Sequence, residues 1–198
     1  MMPGWERWVA IELPLLALAA IGAHLVSSAG QTLLHRWLGH RRWSGRFFRN
    51  HINFHHAYYA RGHLTSAVYL GEEGNNTPFF LIPLLLVGGG LFFLVPPELF
   101  AAVALGGAAS FAAHVYFDKV YHVSGTPLER FAWFRRKQQL HFVHHLHANS
   151  NFAVIDFFWD RLLGTYRAPD EDPPERAPDS GPPMLPGTRS GARVQSDS

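Results

Sequence analysis

Residues Leu13 to Leu34, LPLLALAAIGAHLVSSAGQTLL, are 22 consecutive positions without a formal charge, rich in Leu and Ala. At about 1.5 Å per residue, a helix of that length spans about 30 Å, the thickness of a bilayer's hydrocarbon core. The stretch reads as a transmembrane helix. A cleaved signal peptide is the competing reading, but the flank Trp5-Glu6-Arg7-Trp8 is weak for one, and no clear small-x-small site leads into a soluble domain.

Further along lie two more uncharged runs, 24 residues from Gly74 to Pro97 and 19 from Leu99 to Phe117, meeting at Pro96-Pro97-Glu98. Two apolar segments joined by so tight a break form a helical hairpin. Pro83 and Gly88-Gly89-Gly90 would weaken a soluble helix, whereas a membrane helix tolerates them where neighbours re-satisfy the backbone. The alternative, a buried core helix of a soluble protein, conflicts with the length of these runs.

Basic residues set the orientation. Arg36 to Arg61 holds six Arg and Lys119 to Arg167 seven Lys or Arg, together 13 of the 17 in the chain, and such regions stay on the cytoplasmic side. The first helix crosses once and the hairpin crosses and returns, so both basic regions emerge on one face. The expected fold is therefore all-α: an integral membrane protein with three to four transmembrane spans or half-spans and a cytoplasmic helical cap. The mean hydropathy of −0.03 hides this by averaging apolar runs with polar segments. Residues 1–167 form the expected membrane-embedded domain. Residues 168–198 hold seven of the 14 prolines and six acids against three Arg, with no aromatic residue, and read as a disordered tail.

The chain has no cysteine and 13 histidines. Disulfides, thiolate catalysis and cysteine-held clusters are excluded, so any metal rests on imidazole and carboxylate. Eleven of the histidines lie in or beside the two basic regions: His35-x4-His40, His51-x3-His55-His56 with His63 following, His122, and His141-x2-His144-His145 with His147 close behind. On a regular helix His141, His144 and His145 fall within an arc of about 100° and can converge on one point, with His147 pointing away. His51 and His55 share a face, while His56 lies about 140° from His51, so the pair His55-His56 can serve two ions. The five-residue step from His35 to His40 suits no regular helical face, and Gly39 suggests an end or bulge there.

For the lone histidines of the spans, His24 and His114, packing is the simpler reading. Clustered imidazoles beside a bilayer are more readily explained by metals that take their lone pairs, and eight or more donors exceed the needs of one four-coordinate ion. Imidazole alone does not choose among Zn, Cu, Fe and Ni. The HExxH, GxSxG and P-loop patterns are absent.

With these motifs in hand, the chain resembles the fatty acid hydroxylase and sterol desaturase superfamily of integral-membrane di-iron enzymes. The most specific part is His141-Phe-Val-His144-His145 through Asn151-Phe152 to Trp159-Asp160-Arg161-Leu-Leu-Gly164-Thr165-Tyr166, similar in order and spacing to that family's HxxHH, Asn-aromatic and WDrxxGT signature. Phe117-Asp118 with His122 is similar to its Tyr-Asp pair and following histidine, displaced by one residue. Two departures stand out: three residues precede the pair His55-His56 where two are commoner, and Asn151-Phe152-Ala153 replaces a glycine-bearing turn.

The resemblance implies two iron ions held by His35, His40, His51, His55, His56, His122, His141, His144 and His145, with His63 as a further candidate. It also implies O2 as co-substrate, two electrons from a reductase, ferredoxin or cytochrome-type donor, and hydroxylation of an unactivated C–H bond of a lipid such as a fatty acyl chain or sterol. No side chain beyond the ligands would act as oxidant. Asp118, one turn before His122, is expected either to orient that ring from behind or to pair with Lys119 or a nearby Arg, and Asp160 to act structurally or behind a ligand rather than as an acid catalyst. Phe79, Phe80, Phe92 and Phe93 offer a surface for a lipid tail or for packing against the bilayer. The implied location is a bacterial inner membrane or the endoplasmic reticulum, and nucleic acid is not an expected partner. Desaturation is the nearest rival reaction. The rival from another class is a non-catalytic metal-handling membrane protein, against which the spans offer no regular acidic residues.

Overall fold

The computed structural model of the chain describes residues 12–72 and 76–169, excepting the side chains at 77–80 and 83. The expected tail lies outside the described residues from position 170 on, as do the side chains of Phe79 and Phe80. Among the described residues all regular structure is helical, with one isolated parallel bridge between Ser66 and Val123.

Helix α1 (Leu13–Leu34) carries proline in its first turn, where the missing N–H costs nothing, and runs directly into a π-helical turn, His35–Gly39. Helix α2 (Arg46–Asn50) passes likewise into a second π-helical turn, His51–His56. The hairpin follows as α3 (Thr77–Phe92) and α4 (Pro97–Val120), and the cap as α5 (Ala132–Leu146) and α6 (Phe158–Leu162).

Two helices, α1 continued to Gly39 and α4, are long and apolar enough to cross a bilayer. Helix α3 has 16 residues, fewer than its apolar run suggests. The Pro96-Pro97 pair disfavours helical backbone just before it, so Phe93 to Pro96 become the turn, and α3 has the length of a half-span.

The backbones of α1 and α4 touch. A Cβ at Gly106 would overlap the Ala20 carbonyl oxygen, so no larger residue fits this approach. Leu15, Leu18, Ile21 and Val26 of α1, Leu85 and Leu86 of α3, and Leu105 of α4 are exposed, as residues facing lipid should be. Trp37, Trp43 and Trp133 stand exposed on the histidine-bearing segments, the place where an interfacial aromatic belt is expected.

The cap packs against the end of α4 through Tyr121, Phe134 and Val154, and on itself through Leu140, Ala153 and Phe157. The Tyr121 hydroxyl donates to the Val154 carbonyl at 3.1 Å, and Gln138 Nε2 donates to the Tyr121 carbonyl at 2.9 Å. From there the loop climbs along α1, where Asp156 accepts a hydrogen bond from Ser28 Oγ at 2.7 Å and meets His24 Nε2 at 3.1 Å. His24 is thus a tether between helix and cap.

Candidate metal centre

Nine histidines form two adjoining groups: His35, His40, His51, His56 and His144 in one, His55, His122, His141 and His145 in the other, the nitrogens of each lying within 4.8 Å of one another. Backbone winding sorts them. In a π-turn residue i+5 comes over residue i, so the five-residue steps His35 to His40 and His51 to His56 each place both members in the first group. His55 falls to the second.

This corrects the regular-helix projection, which pairs His51 with His55. It also corrects the idea that His141, His144 and His145 meet at one point. On α5, His141 and His145, one turn apart, face the second group, and His144 turns to the first. Stacked rings of His56 and His145, 4.2 Å between centroids, join the groups. Gly39 lies between them and α1: a Cβ there would come within 3.1 Å of the His35 and His51 rings.

The protonation pattern follows from the outer nitrogens. His35 Nδ1–H donates to the Phe152 carbonyl at 2.6 Å, His144 Nδ1–H to Ser150 at 2.7 Å, His122 Nδ1–H to Leu64 at 2.8 Å and His145 Nδ1–H to Tyr59 at 3.1 Å. With Nδ1 protonated, each of these rings presents a bare Nε2 lone pair. Burial holds His51, His56, His122, His141, His144 and His145 well below the ordinary histidine range, and pushes His55 down to about 4 and His40 to about 2. The rings are neutral at pH 7.

In the first group, neighbouring Nε2 atoms stand 2.8 Å (His35 to His51), 3.1 Å (His40 to His144 and to His51) and 3.2 Å (His56 to His144) apart. Two nitrogens bound at about 2.1 Å to one ion, at angles of about 90–110°, lie about 3.0–3.4 Å from each other. His35 and His144, whose Nδ1 atoms are engaged, present bare lone pairs in this group, and its five ring nitrogens converge as the ligands of a single cation do. In the second group the buried Nε2 atoms of His55 and His145 have no hydrogen-bond partner. The donor set therefore fits two metal ions.

A family model described as "Fatty acid hydroxylase" matches residues 20–165. The chain belongs to the fatty acid hydroxylase family. Neither comparison with curated proteins nor comparison with solved structures gives a match. As a member of this family the chain is a membrane-associated enzyme of the hydroxylase and desaturase type, and its two histidine groups are the metal-binding candidates.

Other candidates fare differently in this family member. His63 is exposed and belongs to neither group, and His147 caps α5 outside both. Asp118 does not orient His122, whose Nδ1 is taken by Leu64; its Oδ1 instead lies 3.8 Å from both His55 Nε2 and His141 Nε2. One turn along a helix separates Asp118 from His122, but the two side chains diverge around α4's end. Asp160 is buried and supports the first group through the backbone: Oδ1 accepts from Phe152 N at 2.7 Å and from Thr165 Oγ1 at 2.7 Å, and Oδ2 from Ala153 N at 3.0 Å.

Three aromatic residues carry roles that the sequence motifs do not announce. Tyr59 is buried, lies flat on His122 with ring centroids 3.8 Å apart, and provides the carbonyl that holds His145. Tyr69 places its hydroxyl 3.3 Å from His55 Nδ1. Phe152 covers the first group, its ring 5.2 Å from His40 and 5.5 Å from His144. The position of Tyr59, four residues after His55, is one available signal, and the place of Phe152 in the Asn-aromatic element is another.

A cavity of about 70 Å³ adjoins both groups. It is lined by Gln31 and His35 of α1, by Phe47, Tyr69 and Asn76, and by Phe111, His114 and Asp118 of α4, among others. Phe92 and Phe93, expected along a lipid path, are exposed at the distal hairpin turn and do not line it. On α4 the cavity is lined by Phe111, His114, Val115, Asp118 and Lys119, in the half of the helix away from the hairpin turn.

Proposed function

We propose that the chain is a membrane-embedded non-haem di-iron oxygenase that hydroxylates an unactivated C–H bond of a lipid, such as a fatty acyl chain or sterol. The reaction balances as RH + O2 + 2 e⁻ + 2 H⁺ → ROH + H2O. The observation that carries this reading is the pair of adjoining imidazole groups with bare, buried nitrogens beside a cavity between two apolar helices. Bound iron would supply O2 activation, chemistry that no side chain here possesses. Desaturation shares the initial hydrogen removal and is the nearest alternative within the family.

The chain's own contribution is positioning. His35, His40, His51, His56 and His144 would hold one ion, and His55, His122, His141 and His145 the other. Backbone carbonyls of Phe152, Ser150, Leu64 and Tyr59 fix four of the rings in the tautomer a metal requires. Phe152, Tyr59 and Phe111 exclude water, and Asp118 Oδ1, at the border of cavity and second group, is placed to hold a proton beside the reacting carbon. An electron-donor protein of reductase, ferredoxin or cytochrome type would dock on the cytoplasmic face, where Arg135 and Arg136 are exposed on α5. Residues 168–198 are assigned to a Pro-rich tail dispensable for this chemistry.

The deciding experiment is lipid mass spectrometry of cells with and without the protein under 18O2. A lipid that gains one labelled oxygen only when the protein is present identifies both reaction and substrate class; the loss of two hydrogens without label indicates desaturation. For orientation, cysteines placed at Arg42 and Ser124 should react with an impermeant reagent only after the membrane is opened, and one at Glu98 should react from outside.

A further inference from the structure

The metal groups account for nine buried or half-buried histidines, and their carbonyl partners account for the loops around them. One buried polar group in the cavity wall is left without a role. Gln31 is 8% exposed, lies in the last turns of an apolar helix and lines the cavity, and its Oε1 is buried without a hydrogen-bond partner. A buried, unpaired amide oxygen is destabilising, and more so where no water competes. Leu or Ala, the commonest residues of α1, would have avoided it.

Its position says what the amide faces. Gln31 precedes His35 by one turn, so both side chains lie on one face of α1, about 5–6 Å apart at Cβ. His35 Nε2 belongs to the first metal group, and Gln31 is the next polar group toward the membrane on that wall. Across the cavity, α4 contributes His114 and Asp118, so polar groups stand among the apolar ones that line the space beside the metals. A bare alkyl chain there would leave the amide unpaired. A hydroxyl both donates and accepts, and pairs with a carboxamide whichever way its terminal group is turned.

We propose that Gln31 is a specificity-determining residue which binds a hydroxyl group on the lipid, a few bonds from the carbon held at the metals. The substrate class is then an alcohol-bearing lipid, not a plain hydrocarbon. This rests on the oxygenase reading for the meaning of the cavity. It is tested by binding, without turnover. A site built to hydrogen-bond a hydroxyl discriminates strongly against the analogue that lacks it, because its own polar group is then stranded.

The full metal-loaded chain in nanodiscs is titrated with tritiated 1-hexadecanol and tritiated hexadecane, with empty nanodiscs subtracted. The wild type should bind the alcohol at least tenfold more tightly, and Gln31→Leu should bring the two within twofold. Metal content should be unchanged and Tm equal or higher, since an unpaired buried amide has been removed. Equal affinities in the wild type, no binding of either probe above empty discs, or a preference that survives in Gln31→Leu would overturn the proposal. If both Gln31→Leu and the closer-shaped Gln31→Met lose metal or melt earlier, Gln31 is structural and the proposal fails. The two readings separate cleanly: an intact alcohol preference without 18O incorporation rejects the oxygenase, and 18O incorporation without the preference rejects only the role of Gln31.

Discussion

The Phe152 carbonyl lies 2.6 Å from His35 Nδ1, which ties the last loop of the cap to the first histidine of the metal centre, 117 residues away in sequence. The loop is itself held by Asp160 through the N–H groups of Phe152 and Ala153. Replacing Asp160 by Ala strands those two donors and the Thr165 hydroxyl. The expected outcome is a 10–100-fold weaker hold on metal in the first group, as is usual when a ligand's outer partner is lost. Chelator competition on the purified variant measures it; unchanged affinity would show that the Phe152 carbonyl is held by the rest of the loop.

Helix α5 serves both groups, so single substitutions should separate them. His144→Ala should leave about one metal per chain, retained by the second group, and His145→Ala should leave about one, retained by the first. His147→Ala should keep the full complement, because His147 belongs to neither group. Metal analysis with the protein loaded anaerobically reads this directly. Loss of both ions from His144→Ala and His145→Ala alike would mean that the groups stand or fall together.

Acid should loosen the metal-free protein in a defined direction. His55 and His40 have folded pKa values of about 4 and about 2, against about 6.5 when unfolded. Between those limits the unfolded chain binds more protons than the native one, so stability falls as pH drops below about 6.5 and is restored above it. Melting temperatures of the apo-protein should therefore decline from pH 7.5 to pH 5. A flat profile would mean that these rings are solvated in the apo-state.

Gly106 and Gly107 are adjacent in sequence but should respond oppositely to substitution. At Gly106 a methyl group collides with the Ala20 carbonyl, and the helices must part; at Gly107 the nearest atoms are 3.5 Å and 3.6 Å away, ordinary contact. Gly106→Ala should lower the yield of folded protein and its Tm, and Gly107→Ala should leave both nearly unchanged. Size-exclusion profiles and thermal melts in detergent distinguish them.

Much of this architecture is legible in the residues. Uncharged runs mark α1 and α4 because lipid-facing helices need no polar side, and the clustering of histidines marks the metal centre because few other roles concentrate imidazole. Which histidine joins which group is not legible, since that depends on two π-turns whose winding departs from the 100° step on which projections rest. The roles of Phe152, Leu64, Ser150 and Tyr59 are equally hidden. In holding the rings they act through main-chain carbonyls, which every residue carries, so side-chain identity leaves no trace of that role. Asp118 shows the same limit: four residues of spacing suggest His122 as its neighbour, but the ring of His122 is drawn to Leu64.

The backbone contact of α1 with α4 also governs how the cavity can breathe. Two walls of that cavity are these helices, and at Gly106 and Ala20 they meet with no side chain between them to act as a cushion. Neither helix can swing away from the other without breaking that seam. The third wall, which includes Phe47, Tyr69, Glu72 and Asn76, is made of a short helix and loops secured by a few polar contacts: Asn76 with Asn50 and the Phe47 carbonyl, and Glu72 with Lys119. Any change in the cavity's width therefore falls to the wall formed by Phe47, Tyr69, Glu72 and Asn76, while the seam keeps the other two still.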